Sequence, residues 1–214
     1  MSHFSVAVFH REDQDVEDLL APYNEEIVVA PYVQYTREQA IAKTRKDIEE
    51  YKNGLYAEYL ANPEEYAKNC SNEGHLQYLR EGFPKKMNWT DEECYEDVAK
   101  YYDEDDKDEE GNLYSTYNPN SKWDWYSIGG RWRNFLTTKS GEKVDEDYVS
   151  ELDFPDDFST FAVVLPNGRW YEAGSMGWWA IVTDRKDDWE ATYKEKFLDK
   201  ADPDWILTIV DCHI

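Results

Sequence analysis

Residues 3–10 read HFSVAVFH, and this run decides the fold. In an extended chain successive side chains point to opposite faces, which puts Phe4, Val6 and Val8 on one side and Ser5, Ala7 and Phe9 on the other. A strand that is apolar on both sides has to be covered on both, so it belongs inside a sheet. The chain closes on a run of the same kind, because Pro203 resets it and Trp205 to Ile214 reads as a final strand. Apolar strands at the two ends of a chain often share the middle of one sheet, although the order of pairing is not written in the sequence.

Between these ends the pattern changes from period two to period three and four. Arg11 to Tyr35 is read as a loop with a helical turn at Val16 to Leu20, punctuated by Pro22 and Pro31. Thr36 with Gln39 forms a capping box, and Ile41, Thr44, Ile48, Tyr51, Leu55 and Tyr59 then recur at helical spacing to about Leu60, with Gly54 the weak point. Asn62 followed by Pro63 starts a second helix, a third covers His75 to Arg80, and Thr90 with Glu93 caps a fourth carrying Cys94, Val98 and Tyr101. Residues 36–102 therefore form a helical insertion after the first strand, and 103–116 an acidic loop. Tyr51, Tyr56, Tyr59, Tyr66 and Tyr78 are read as packing residues of that insertion. Further on, Trp132 to Thr138 fits a strand, Thr160 to Ala173 a hairpin turning at Pro166-Asn167-Gly168, Trp178 to Thr183 a strand, and Asp187 with Glu190 the start of a helix. The expected architecture is a single α+β domain over residues 1–214, with a mostly antiparallel sheet of about five or six strands.

Composition bounds the partners. With 41% hydrophobic and 16% aromatic residues, the chain has the material for a core despite its net charge of −24. That charge opposes direct binding to nucleic acid or to an anionic membrane surface, since both are polyanions, and it suits docking onto a basic protein surface. Cys70, Cys94 and Cys212 are odd in number and widely spaced, which fits reduced thiols in a cytoplasmic protein rather than disulfides or a zinc site. The opening MSHFSVAVFHRED has too short an apolar run for a signal peptide, and no stretch is long enough for a membrane span.

The candidate ligand site is the segment Tyr117 to Leu136, YNPNSKWDWYSIGGRWRNFL. Met1 to Thr116 carries a net −16 and Gly141 to Ile214 a net −11, whereas Tyr117 to Ser140 carries +3. A basic, aromatic island in an acidic chain concentrates an anion that the rest repels. The residues offered for such a ligand are Trp123, Trp125, Tyr126, Gly129, Gly130, Arg131, Trp132 and Arg133: arginines for charge, indoles for stacking, and a Gly-Gly pair for positive φ or close approach. The alternative is a core segment whose arginines pair with nearby carboxylates.

Three further groups have chemical potential. Asp211 and His213 share a face of the last strand, and His3 joins them if the first and last strands are neighbours. Two imidazoles and a carboxylate can bind a metal or do acid/base work; the simpler reading, preferred here, is polar residues at frayed strand ends. Asp124 is the other candidate base, though strand alternation turns it away from Trp123 and Trp125 and favours pairing with an arginine or lysine. Asp103, Glu104, Asp105, Asp106 and Asp108 belong to the most charged run and are the candidate partner-binding residues. Asp106, Asp108, Glu110 and Gly111 match the first half of a calcium loop, but Tyr117 stands where a bidentate Glu is needed, so a solvated loop is expected. No metal or cofactor is expected, and no hydrolase triad, phosphate-binding loop or dinucleotide-binding pattern is present.

The opening SHFSVAVF with LLAPYNE, the YNPNSKWDWYSIGGRW and FAVVLPNGRWYEAGSMGWWAIVTD blocks and the closing LTIVDCHI resemble a family of small proteins encoded by bacteriophages and prophages. The resemblance covers most of the β portion and leaves the helical and acidic insertion particular to this chain. It implies a setting, the infected bacterial cytoplasm, and no mechanism. The expectation is a non-enzymatic accessory protein of counter-defence that binds and inhibits a host effector, meeting a basic nucleic-acid-binding surface with its acidic one. The alternative is a sponge or hydrolase for a nucleotide-like anion, with Asp124, His3 or His213 supplying any chemistry.

Overall fold

A computed structural model describes residues 2–177 and 181–214. The chain forms two compact units, one of Met1–Val29 with Tyr117–Ile214 and one of Ala30–Thr116. The sheet and helices together make an α+β fold.

The first unit is built on a six-stranded sheet. Its centre is the first strand, His3–His10, antiparallel to the last, Ile206–His213. On one side of this pair the last strand carries Trp125–Ile128 and, farther along, Glu146–Tyr148. On the other side the first strand pairs with Ala162–Val164, which forms a hairpin with Trp170–Glu172. The Ala162–Val164 contact is the one parallel pairing among the described strands of the sheet. Both faces are covered, as the double apolar pattern requires. Phe4, Val6, Val8, Val210 and Cys212 pack with Leu19, Leu20 and Trp123 on one face. Ala7, Phe9, Leu207 and Ile209 pack with Trp189, Tyr193 and Phe197 on the other.

The helix expected at residues 187–190 begins at Trp189, and Asp188 stands at its N-cap without a side-chain cap bond. Residues 132–138, expected as one strand, divide into a tight turn at Gly130–Trp132 and a short strand, Leu136–Thr137, paired with Lys143–Val144. Asn134 has a φ of +60°, which breaks the extended run. Of the strand read at residues 178–183, Val182–Thr183 pairs with Ser175–Met176, and residues 178–180 lie outside the described residues.

The second unit holds the helical insertion together with a pair of strands, Tyr32–Tyr35 and Leu113–Ser115. Both capping boxes form, at Thr36 with Gln39 and at Thr90 with Glu93, and their helices run Arg37–Tyr51 and Asp91–Ala99. At Gly54 the backbone leaves the helical region before Ala57–Ala61 resumes it. Asn62 caps Pro63–Asn69. Tyr51, Tyr56 and Tyr78 pack around Phe83, Ile48 and Cys94, as packing residues should. Tyr101 is exposed instead of completing the apolar stripe of its helix. Cys70, Cys94 and Cys212 are free thiols, and burial pushes the Cys94 and Cys212 thiols up. No helix of the described residues is long and apolar enough to cross a membrane.

Asp97 ties this unit together electrostatically, accepting from Lys86 Nζ at 2.8 Å and Lys100 Nζ at 2.6 Å. Burial pushes its carboxyl up, but the bonds from Lys100 and Lys86 outweigh burial and hold it below the usual carboxylate range. A depressed carboxylate contributes stability that is present above its unfolded pKa, about 3.9, and is lost as pH falls through the folded value. Asp97→Asn should therefore lower stability at pH 7 and flatten its decline below about pH 4. The check is denaturant unfolding at pH 7 and pH 3. Equal losses at both would show that the Asp97 bridge does not carry this pH dependence.

Candidate functional site: two aspartate–histidine pairs under a tryptophan

Register places the site. His3 lies directly opposite His213 across the central pair, and His213 lies directly opposite Trp125 on the neighbouring strand. Three aromatic rings thus form one row across three strands. Two residues along, the same register sets Ser5, Asp211 and Ser127 in a second row on the same face. The His3 and His213 ring centroids are 5.1 Å apart and nearly perpendicular at 77°. Trp125 stacks on His213 at 5.1 Å and 17°, and meets His3 edge-on at 5.4 Å.

Each histidine is held by its own carboxylate. His3 Nδ1 lies 2.9 Å from Asp211 Oδ1, and His213 Nδ1 lies 2.7 Å from Asp124 Oδ1. A carboxylate only accepts, so both rings carry a proton on Nδ1, and in the neutral imidazole this leaves Nε2 as the acceptor. His213 is 6% exposed, and its Nε2 is sealed from solvent without a hydrogen-bond partner. A buried polar atom left without a partner costs about 1–3 kcal/mol, so His213 Nε2 is a group the fold does not satisfy by itself.

The glycine turn closes the back of the site. Gly129 and Gly130 have φ of +70° and +50°. A side chain on Gly130 would begin 2.3 Å from Asp211 Cβ, so only glycine lets the turn come this close. The close approach lets Arg131 N donate to Asp211 Oδ2 at 2.9 Å. Asp211, 2% exposed, thereby has both oxygens engaged, one by the His3 ring and one by the turn. Gly129 sits against Asp145 in the same manner, and Asp145 Oδ1 accepts from Asn134 N.

The structure sorts the sequence candidates. His3, His213 and Asp124 come together, and Asp211 joins them. They are not frayed ends, since the pairing of first and last strands runs through His3 and His213 and both side chains are enclosed. Among the described residues Asp124 pairs with no lysine or arginine; it accepts from His213 Nδ1 and from Trp125 N, because it lies just ahead of the strand and is not bound by strand alternation. Trp125, 43% exposed, lies on the site, and Gly130 and the Arg131 backbone shape it. Trp123 and Tyr126 belong to the opposite face, where Trp123 is 6% exposed and its indole N–H donates to Leu20 O. Trp132 packs against the core of Ala7, Phe9, Leu207 and Ile209, on the face of the histidines. The side chains of Arg131 and Arg133 are exposed and, among the described residues, make no ion pair, so their charge is available.

Ser5, Ser127 and Asp145 were not singled out from sequence. The register that the alternation implies for the first and last strands, once they are paired, would have found the two serines. In the second unit, Asp103, Glu104, Asp105 and Asp106 are exposed around a tight turn at Glu104–Asp106. Asp108 faces its own loop and accepts from Asn112, Glu110 and Tyr114, which lowers its pKa. Among the described residues no group of three or more His, Cys, Asp and Glu is placed to hold a metal ion. Comparison with protein-family models, with curated proteins and with solved structures finds no match to this chain.

Proposed function

We propose that the paired histidines form an acid/base site that hydrolyses a small anionic substrate. The observation that carries this reading is the His213 Nε2 atom, buried and without a hydrogen-bond partner on a ring that Asp124 holds through Nδ1. In this scheme His213 Nε2 takes a proton from the attacking water while Asp124 stabilises the imidazolium that forms. His3, oriented by Asp211, has to enter with a proton on Nε2 as well, gives that proton to the leaving group, and is reset through solvent as His213 releases the proton it took. Arg131 and Arg133 supply the positive field for the anion in a chain of net charge −24. Trp125 covers His213, so its indole has to swing away for a substrate to reach Nε2. The test is turnover of a panel of mononucleotides and simple phosphodiesters, followed by phosphorus NMR. Wild type should turn over at least one of them, and His213→Gln should lose about 100-fold or more while keeping its fold. Unchanged turnover in that variant, or none by wild type across the panel, would defeat the acid/base reading.

A second reading rests on the acidic turn. Asp103, Glu104, Asp105 and Asp106 present four exposed carboxylates together, which suits inhibition of a basic host effector in the phage-infected cytoplasm that the family resemblance implies. Binding to such an effector should weaken with salt and vanish on reversing these four charges.

A further inference from the structure

Around the edge strand Trp170–Glu172, at the other end of the sheet from Trp125–Ile128, the first unit has an open cleft of about 580 Å³ lined by Lys122, Arg169, Trp170 and Lys186 with Tyr23 and Glu172. The three cations come from separate segments: the loop before Trp125, the turn of the Ala162–Val164 hairpin, and the chain after Val182–Thr183. Their convergence stands out in a chain with 23 Lys and Arg against 47 Asp and Glu.

The cleft is built, with its parts held by one another. Glu172 is its one acidic side chain, and both oxygens are taken: Oε1 by Lys122 Nζ at 2.7 Å and Oε2 by the Trp170 indole N–H at 2.8 Å. Lys186 Nζ donates to the Glu172 backbone carbonyl at 2.8 Å. Arg169 makes no ion pair among the described residues and is exposed. Three cations against one carboxylate leave a net positive cleft. Beside them Trp170 and Tyr23 form an aromatic wall, their centroids 5.0 Å apart, with the Tyr23 hydroxyl fixed on Gly168 O at 2.5 Å.

We propose that this cleft is a binding site for a free mononucleotide, its phosphate on Arg169, Lys122 and Lys186 and its base against Trp170. An aromatic surface beside an unpaired arginine and two more cations matches a planar ring carrying a compact anion. The volume suits a ligand of that size. The strongly negative remainder of the chain repels a polyanion but leaves room for a single phosphate, so the occupant is a mononucleotide and not a nucleic acid strand. This inference does not rest on the acid/base reading, because the cleft lies at the sheet edge away from Trp125–Ile128 and shares no residue with the histidine site.

The test is calorimetric titration of the full chain with adenosine 5′-monophosphate and, separately, with inorganic phosphate. Wild type should bind the nucleotide at least tenfold more tightly than phosphate. Arg169→Gln and Lys186→Gln should each weaken nucleotide binding about tenfold. Phosphate binding as tightly as the nucleotide would remove the base from the proposal. No nucleotide binding, or binding lost with Arg131→Gln and indifferent to Arg169→Gln, would overturn the site.

Discussion

Gly130→Ala is expected to cost the first unit about 3 kcal/mol of stability, the sum of a left-handed backbone penalty of about 1–2 and an overpacking penalty of about 1–3. At a φ of +50° an L side chain is strained wherever it points. Here it also points into occupied space, 2.3 Å from Asp211 Cβ, 2.4 Å from Asp211 Oδ2 and 2.7 Å from Ser127 Oγ. None of these neighbours is the loose end of a flexible chain. Asp211 sits on a central strand with both oxygens bonded, and Ser127 is its register partner. Gly141→Ala is the control, with a φ of +88° and nothing within 4 Å, and should lose only the conformational part. Denaturant unfolding followed by tryptophan fluorescence reports on the right unit, because eight of the nine tryptophans lie in it. Equal losses for the two glycines would mean that the turn does not press on Asp211.

That contrast also separates what the sequence could and could not disclose. The double apolar face of residues 3–10 dictates a central strand, because both sides must be buried whatever the partner is, and the structure places it at the centre of the sheet. The capping boxes at Thr36 and Thr90 are equally local, each a matter of one hydroxyl and one side chain three residues on. Tyr32–Tyr35 and Leu113–Ser115 were not legible, being short, partly exposed strands whose partners lie far away in sequence. The site lies between these cases. Its chemistry was visible as residue types, but its assembly depends on a register joining residue 3 to residue 213 and on a turn reaching Asp211 through a backbone N–H. Composition drew attention to Trp123, Trp125 and Trp132 alike. Burial divides them, giving Trp123 and Trp132 to the two cores and Trp125 to the site.

The sharpest division of labour is expected at Asp211, where two substitutions should fail in different ways. Asp211→Ala removes the acceptor of His3 Nδ1–H and of Arg131 N–H together. Each donor left unsatisfied costs about 1–3 kcal/mol, so a loss of about 3–5 kcal/mol is expected, with the glycine turn released. Asp211→Asn keeps the shape. Its amide oxygen accepts from Arg131 N, whereas the opposite orientation would set two donors against each other, so its NH₂ group turns to His3. A ring nitrogen facing a donor has to accept, and His3 should therefore move its proton from Nδ1 to Nε2. Asp211→Asn is thus expected to unfold within about 1 kcal/mol of wild type, yet to carry the neutral ring's proton on Nε2 instead of Nδ1. Long-range nitrogen–proton correlation spectra of the imidazoles read the tautomer directly, and thermal melts read the fold. If His3 keeps Nδ1–H in a folded Asp211→Asn protein, the carboxylate does not set its tautomer. If the proton moves and turnover falls with it while the melting temperature holds, Asp211 acts by orienting His3 and not merely by holding the turn in place.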